Sequence, residues 1–355
     1  MKYLIITYDD YFNVPYIKCY EDSLQRFENH YDIVIWNRSG EKVDISNAFV
    51  FSAKDSHSKI GKIIPFLRWR MFVIKLLKKN NYDRLIILTT LPAVLLADKL
   101  LGKFKNRYWF DIRDFTYENF SVYKGIVGRL VKTAAATSIS SPAFRNFLPV
   151  NDNIFFTHNI SNEDLFEKYC NINVERAPFK IGFVGGIRFV EQNQLLIKQF
   201  ANNPKYLLKY VGRMHLGCDL PLFCEKNKID NVEFYPSFIN IQKPEIYRSI
   251  DVINSIYGDE TEIVRLALPN KLYDCALYKK PIMVSKGTYL ADVVIKYNLG
   301  IAVDIKNEDV VEILERYLEK FDCEKFELGC QNFLESIKED LKGYTDALYD
   351  FCAGE

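Results

Sequence analysis

The sequence alternates between short apolar runs of strand length and segments whose apolar residues have helical spacing. The first half contains runs such as KYLIITY, YDIVIWN and DRLIILTT, and helical periodicity at 16–29 and 62–80. Strands that read as continuous apolar runs are buried on both faces, as in parallel sheets covered by helices. The alternation therefore predicts an α/β protein built from parallel sheets with helices on both faces.

The alternation is interrupted once, by a polar and irregular segment, and it starts again at the run FKIGFVGG. A chain of 355 residues is long enough for two domains of ordinary size. We therefore predict a Rossmann-like domain over 1–160, a linker over 161–178 and a second Rossmann-like domain over 179–322. The tail, 323–355, has the pattern of a C-terminal helix.

Composition narrows the classes of function. Hydrophobic residues make up 48% of the chain and aromatic residues 15%, which supports sizeable cores and argues against disorder. The net charge of +1 creates no overall field that would attract nucleic acid, so we expect no nucleic-acid partner.

The eight cysteines are scattered, without CxxC pairs or Cys-His spacing suited to zinc, which predicts free thiols and no metal site. The N-terminus enters a strand at once and shows no signal peptide. No stretch reaches the ~20 apolar residues that span a bilayer. We expect a cytoplasmic protein, at most peripheral on the inner face of the plasma membrane.

The most informative motif is the turn formed by Pro269, Asn270 and Lys271, followed by a short helix, LYDCALYKK, and a buried strand, PIMVS. A helix N-terminus has unpaired N–H groups and about half a unit of positive charge, so it favours anions. Lys271 adds a full charge in the first turn. The motif predicts an anionic ligand at this helix.

This stretch, continued to 304, resembles the donor-binding half of GT-B glycosyltransferases, especially the retaining enzymes of family 4 and those of bacterial surface polysaccharides. The resemblance covers most of 180–305. It implies a GT-B fold, in which two Rossmann-like doubly wound domains face each other across a cleft. The first domain would bind the acceptor, the second a nucleotide diphosphate sugar with UDP or GDP, and the last helix would pack back on the first domain. It implies no cofactor and no metal.

The resemblance also assigns carboxylates. Asp274 falls where the family has a carboxylate, usually Glu, for the nucleotide ribose. Eight positions earlier, where the family usually has a second glutamate near the sugar, this chain has Leu266. Glu260 or Glu262 would replace it, with Asp259 as a third candidate for sugar binding. The alternative for each of these three residues is a place in a solvated loop.

Two glycine-containing strand ends complete the predicted donor site. Gly185 and Gly186 follow a buried strand and precede Arg188, and Arg213 follows a glycine at the end of the next strand. Glycine allows a backbone to approach phosphate closely, and arginine can neutralise a diphosphate. The alternatives are a tight turn and a solvated arginine. The catalytic candidates are Arg188, Lys271 and Glu262, and the donor-binding candidates are Gly185, Gly186, Arg188, Arg213, Pro269, Asn270, Lys271 and Asp274.

In the first domain, the run WFDIRD begins apolar and ends with Asp111, Arg113 and Asp114. Charges at a strand end would point toward the cleft, and the family often has a similar segment on its acceptor side. These residues are our acceptor-side candidates. The alternative is an internal Asp-Arg pair that fastens the following loop.

Between Ser56 and Tyr82 there are seven basic residues and no acidic one, interleaved with apolar residues. Each basic residue near an anionic bilayer contributes about 1 kcal/mol, and aromatic residues add apolar burial. The alternative is a helix that packs on its own sheet while its lysines are solvated. The membrane-facing candidates are Lys62, Arg68, Trp69, Arg70, Lys75, Lys78 and Lys79.

We therefore predict a retaining, metal-independent glycosyltransferase that acts on a saccharide acceptor, lipid-linked and destined for a bacterial capsule, O-antigen or exopolysaccharide. One alternative is a nucleotide-sugar epimerase of the same fold, which would need acid and base groups deep in the cleft. The other is a catalytically degenerate scaffold, for which Leu266 is the best support.

Overall fold

The computed structural model describes residues 1–38, 40, 43–53, 59–160, 170, 172 and 177–354, and all of their side chains except those of 59–62. Most of the predicted linker 161–178 and the side chain of Lys62 lie outside the described residues. The chain forms two compact units. Unit 1 comprises Met1–His158 with Glu339–Glu355, and unit 2 comprises Asn159–Lys338.

The described part of unit 1 contains one parallel sheet. Its strands are β1 (Lys2–Ile6), β2 (His30–Asn37), β3 (Ala48–Ser52), β4 (Arg84–Leu88), β5 (Tyr108–Ile112), β6 (Ala136–Ile139) and β7 (Ile154–Phe156). They pair in the order β3-β2-β1-β4-β5-β6-β7. The order reverses direction between β1 and β4, which makes this pair the topological switch point of the sheet.

The helices of unit 1 are α1 (Ile17–Arg26), α2 (Lys59–Lys79), α3 (Thr90–Leu95), α4 (Ala97–Leu100) and α5 (Ser121–Thr133), with 3-10 turns at Tyr11–Asn13 and Pro142–Asn146. Two short helices, α3 and α4, thus follow β4 in succession. Arg70 Nε donates a hydrogen bond of 2.7 Å to the carbonyl of Leu95, at the point where the first helix ends.

Unit 2 repeats the pattern in its described residues. Its strands are β8 (Phe179–Val184), β9 (Tyr206–Val211), β10 (Val232–Tyr235), β11 (Val252–Ser255), β12 (Ile282–Ser285) and β13 (Gly300–Val303). They form a parallel sheet in the order β10-β9-β8-β11-β12-β13, so the switch point lies between β8 and β11. The prediction of parallel, doubly wound sheets is confirmed.

The helices that begin in unit 2 are α6 (Val190–Phe200), α7 (Leu220–Asn227), α8 (Lys243–Arg248), α9 (Glu262–Leu266), α10 (Asn270–Tyr278), α11 (Tyr289–Lys296), α12 (Val310–Glu319) and α13 (Cys323–Ala353), with a 3-10 turn at Asn240–Gln242. The predicted polar loop before Pro269 therefore contains a short helix. Its last residue, Leu266, is buried, and that apolar anchor gives the helix a place on the unit.

Helix α13 contributes to both units. Its residues up to Lys338 belong to unit 2, and those from Glu339 onward belong to unit 1. In unit 1 its rings pack on Trp109 of the sheet, with Tyr344 at 5.6 Å and Phe351 at 5.7 Å between ring centroids. The core of unit 1 therefore includes residues from both ends of the chain.

Candidate functional site

Lys271 lies in the first turn of α10, and its side chain is buried to the ammonium. Pro269 is the N-cap in extended conformation, and Lys271 is 6% exposed. The ammonium donates a hydrogen bond of 2.8 Å to the hydroxyl of Tyr257 and lies 3.8 Å from the ring centroid of Phe183. None of the ion pairs among the described residues includes Lys271. A buried cation without a carboxylate partner is expensive, so the position favours an anionic ligand.

The glycine turn after β8 lies beside this ammonium. Gly185 has φ +119°, and a Cβ built on it would lie 3.8 Å from Lys271 Nζ. Gly212, in the loop after β9, has φ +142°, and a Cβ there would lie 2.0 Å from the carbonyl oxygen of Gly185. Only glycine tolerates that approach. The structure therefore brings together the two glycine-containing strand ends that the sequence singled out.

Three further basic residues lie near the second glycine, Gly186: Arg188 follows it by two positions, and Arg213 and His215 flank the residue that bridges to Ile187. A Cβ at Gly186 would be 2.9 Å from His215 Nε2 and 3.9 Å from Arg188 Nε. Partial desolvation lowers the pKa of His215, and the charges of Arg188 and Arg213 lower it further. His215 is not part of the predicted donor site, because a lone histidine after a strand carries no distinctive signal.

Buried polar and aromatic groups hold these loops. Asn193 Nδ2 donates to the carbonyls of Arg188 and Phe189 at 2.7 and 3.0 Å. The ring of Phe189 stacks on Tyr257 at 4.4 Å between centroids. Ser285 Oγ accepts hydrogen bonds from the backbone N–H groups of residues 257 and 258 at 3.0 and 2.8 Å. Groups outside the predicted donor site therefore fix its loops. They were not predicted because an Asn in a helix or a Ser at a strand end is common.

Asp274 lies one turn after Lys271 on α10 and is buried. Its carboxylate accepts hydrogen bonds from Lys243 Nζ at 3.0 and 3.2 Å and from the hydroxyl of Tyr247 at 2.7 Å. A carboxylate has about four acceptor positions, so these donors leave little capacity for a ribose. The ribose role of Asp274 stays a prediction.

The three candidates for sugar binding make different contacts in the structure. Glu260 accepts a hydrogen bond from Gln192 Nε2 at 3.0 Å and pairs with Lys306 at 2.8 Å, which lowers its pKa. Asp259 Oδ2 lies 2.9 Å from the Cβ position of Gly287.

Glu262 is the first residue of α9 and pairs with Arg265, whose guanidinium also donates a hydrogen bond of 2.8 Å to the carbonyl of Asp259. Its predicted catalytic role is untested, and its carboxylate is engaged with that arginine. Leu266, at the position of the family's glutamate, is buried and apolar.

In unit 1, Asp111 and Arg113 form an internal ion pair. Asp111 is fully buried, Arg113 Nε lies 2.9 Å from its carboxylate, and the guanidinium stacks over the ring of Tyr16 at 4.1 Å. Ser138 Oγ also donates to Asp111 at 2.9 Å. Asp114 is exposed. The geometry matches the internal-pair alternative for the first two residues, and an acceptor-side role stays a prediction.

The basic helix α2 presents a different surface from the one predicted. Trp69 is fully buried and packs inward, so its predicted place on a membrane-facing surface is wrong. Arg70 bonds to Leu95 and pairs with Asp98 at 2.9 Å. The exposed basic candidates of the helix are Arg68, Lys75, Lys78 and Lys79, and its exposed large apolar residues are Ile63, Ile64, Leu67 and Met71. Across the described residues, no helix has the length and apolar character needed to cross a membrane.

Comparison with known proteins gives a match in structure only. The sequence matches no family model and no curated protein. Sucrose-phosphate synthase from Thermosynechococcus elongatus superimposes with a TM-score of 0.70 at 12% identity, covering 98% of this chain and 96% of that one. HepE from Anabaena in complex with UDP gives 0.69 at 14% identity, covering 98% and 99%.

The lipopolysaccharide outer core galactosyltransferase WaaB gives a TM-score of 0.67 at 12% identity, covering 99% of both chains. Identities this low establish the fold and not the reaction. Because the matches extend over nearly the whole chain, with two parallel doubly wound sheets, the protein has the GT-B fold of these glycosyltransferases, as the sequence predicted.

Proposed function

We propose that the protein is a glycosyltransferase that transfers a sugar from a nucleotide diphosphate sugar to a saccharide acceptor. The observation that carries this proposal is the buried ammonium of Lys271, which lies beside Gly185 and pairs with no carboxylate among the described residues. A diphosphate would supply the missing negative charge at a helix N-terminus. HepE has been solved with UDP and with UDP-glucose, which supports UDP as the nucleotide.

The proposed reaction requires that negative charge on the leaving group be stabilised. When the bond between the sugar and the diphosphate breaks, negative charge develops on the departing phosphate. Lys271, with Arg188 and Arg213, would stabilise that charge from preorganised positions, which is commonly the largest contribution that a protein makes to such a reaction. These fixed cations would do the work that a divalent metal does in other transferases, so we propose a metal-independent reaction.

The remaining rate acceleration would come from the positioning of the two substrates. Asp259 and Glu260 would orient the sugar, and Asp274 would face the ribose. We propose retention of configuration, with the leaving diphosphate taking the proton of the acceptor hydroxyl. In such a reaction the protein needs no nucleophile of its own, and its binding groups hold the two substrates in reacting geometry.

We also propose that the acceptor is lipid-linked, that it belongs to a bacterial surface polysaccharide, and that the enzyme works at the cytoplasmic face of the membrane. The support is the exposed surface of α2, which combines apolar residues such as Leu67 and Met71 with basic residues such as Arg68 and Lys75. That combination suits an anionic bilayer surface.

The test is Lys271→Ala, measured as the release of UDP from UDP-sugars in the presence of acceptor. Because the change removes charge stabilisation of the leaving group, we expect kcat to fall on the order of 100-fold. The melting temperature should stay near that of the wild type or rise, since the variant no longer buries an unpaired charge.

The matched control is Lys296→Ala, an exposed lysine at the end of α11. It should leave both kcat and the melting temperature unchanged. Full turnover by Lys271→Ala would refute the assignment. A wild-type protein that binds UDP and transfers nothing to any acceptor would instead support a degenerate scaffold.

A further inference from the structure

The ladder between β8 and β9 continues beyond both strands and fixes the geometry of the basic residues that follow. The N–H of Ile187 donates to the carbonyl of Arg213 at 2.9 Å, and the N–H of His215 donates to the carbonyl of Ile187 at 3.0 Å. Side chains alternate along an extended chain. Arg213 and His215, two residues apart, therefore lie on the same side of this extension.

Arg188 converges on the same place from the neighbouring loop. The imidazole of His215 and the guanidinium of Arg188 both lie over Gly186, at 2.9 and 3.9 Å from its Cβ position. All three basic side chains are exposed. Among the residues described by the structure, none of the three forms an ion pair with a carboxylate. This cationic cluster is separate from Lys271, which lies beside Gly185.

Partial desolvation lowers the pKa of His215, and these neighbours add to that effect. The charged groups that act on it are Arg188, from the loop after β8, and Arg213, from its own strand end, and both lower its pKa in addition to the effect of burial. The free protein therefore holds this imidazole neutral near neutral pH. Because the unfolded chain binds that proton more readily, the free protein loses some stability as the pH falls below the ordinary histidine value.

An anion reverses this balance. A phosphate placed among Arg188, Arg213 and His215 would cancel the repulsion from the two guanidinium groups and favour the imidazolium form. The imidazole would then take up a proton from solvent when the anion binds, and release it when the anion leaves. No covalent bond to the ligand is formed or broken in this step.

We propose that the diphosphate of the donor spans the Gly185-Gly186 turn, with one phosphate against Lys271 and the other against Arg188, Arg213 and His215, so that His215 makes donor affinity depend on pH. This inference rests on the proposed function and adds a binding residue and a regulation to the same site. Affinity rises as the pH falls, because protonated His215 contributes a third positive charge.

The experiment is calorimetric titration of UDP-glucose at several pH values from about 5.5 to 8, the range in which histidine titrates. UDP-glucose suits the test because its phosphates are diesters and do not titrate there. Running each pH in two buffers of different ionisation enthalpy gives the number of protons taken up. We expect proton uptake by the wild type and an affinity that increases roughly tenfold from the alkaline to the acidic end.

Two variants isolate His215. His215→Gln should bind UDP-glucose with an affinity that does not change with pH and without proton uptake. His215→Lys should restore tight binding at every pH, because its charge is permanent. His30→Gln, at an exposed histidine in β2 of unit 1, is the matched control and should behave as the wild type.

The outcomes separate this inference from the function on which it rests. An identical pH dependence in the wild type and in His215→Gln would overturn the role of His215 and leave the donor site standing. Proton uptake that persists in His215→Gln would do the same. A wild-type protein that does not bind UDP-glucose at any pH would overturn the proposed donor class as well.

Discussion

Thr89 is the residue whose backbone conformation is hardest to explain from local preference. It directly follows β4 at the switch point of unit 1 and has φ +72° and ψ 165°. Positive φ is a genuine outlier for a β-branched residue. Its N–H is held by the carbonyl of Asp111 at 2.7 Å, and its hydroxyl is buried without a hydrogen-bond partner among the described residues. The surrounding structure imposes this conformation, and such strain costs about 1 to 3 kcal/mol.

We therefore predict that Thr89→Gly raises the free energy of unfolding or leaves it unchanged. Glycine adopts positive φ without strain, and the substitution also removes an unpaired hydroxyl. These gains offset the greater entropy of glycine in the unfolded chain, about 0.5 to 1 kcal/mol. Denaturant unfolding monitored by tryptophan fluorescence gives the comparison.

Thr137→Gly is the matched control, because Thr137 is also buried with an unpaired hydroxyl but lies inside strand β6, away from any positive φ. The free energy of unfolding of this variant should fall by about 1 to 3 kcal/mol. If both variants were destabilised equally, the strain at Thr89 would be discounted.

Helix α2 has apolar residues on two faces, one buried and one exposed. Trp69, Val73 and Leu76 form a buried stripe with spacing of four and three residues. On the outer side, Leu67 and Met71 are about half exposed. An apolar outer stripe beside exposed basic residues is the part of the proposed membrane attachment that can be tested without knowing the substrate.

We predict that the double change Leu67→Ser and Met71→Ser weakens binding to anionic phospholipid vesicles by roughly tenfold or more, because it removes the apolar surface that would enter the headgroup region. Vesicle cosedimentation measures the effect, with zwitterionic vesicles to separate apolar from electrostatic attraction. Fold stability should change much less, since both side chains are already about half exposed.

Val150→Ser serves as control, because Val150 is 99% exposed and lies in the loop before β7 rather than on the basic helix. It should bind vesicles as the wild type does. Equal binding by the wild type and the double variant would remove α2 from the membrane proposal.

These elements also show what the sequence could predict. The parallel strands and the helices near 16–29 and 62–80 were predicted because apolar runs and helical periodicity reflect burial directly. The membrane-facing surface was partly wrong because α2 has apolar residues on both sides, and periodicity alone does not say which side the sheet covers. Trp69 was therefore assigned outward although it packs inward.

The site was predictable only where it depends on residue type. Lys271 and the glycines follow a recognisable order along the chain, and the structure places Lys271 beside Gly185. The contact of Gly212 with the carbonyl of Gly185 depends on backbone geometry, and the bonds of Asp274 to Lys243 and Tyr247 join residues about thirty positions apart. Such three-dimensional contacts leave no pattern in a single sequence.

On the scale of the whole molecule, the proposed metal-independent binding of the donor can be tested directly. We predict that UDP and UDP-glucose each raise the melting temperature, and that EDTA changes neither of these shifts. A ligand at ~100 times its Kd adds about 2.7 kcal/mol to stability, which a thermal-shift assay detects. NAD serves as the control nucleotide and should produce no shift. A shift that EDTA abolishes would contradict metal-independent binding.

Helix α13 has a consequence for how the protein is made. Unit 1 needs Tyr344 and Phe351, which pack on Trp109, yet these residues are translated after all of unit 2. At synthesis rates of about 5 to 20 residues per second, the first sheet must wait roughly ten to forty seconds for its missing side chains. During that interval its apolar surface is incomplete and open to chaperones. A segment that is translated after unit 2 thus completes the first unit.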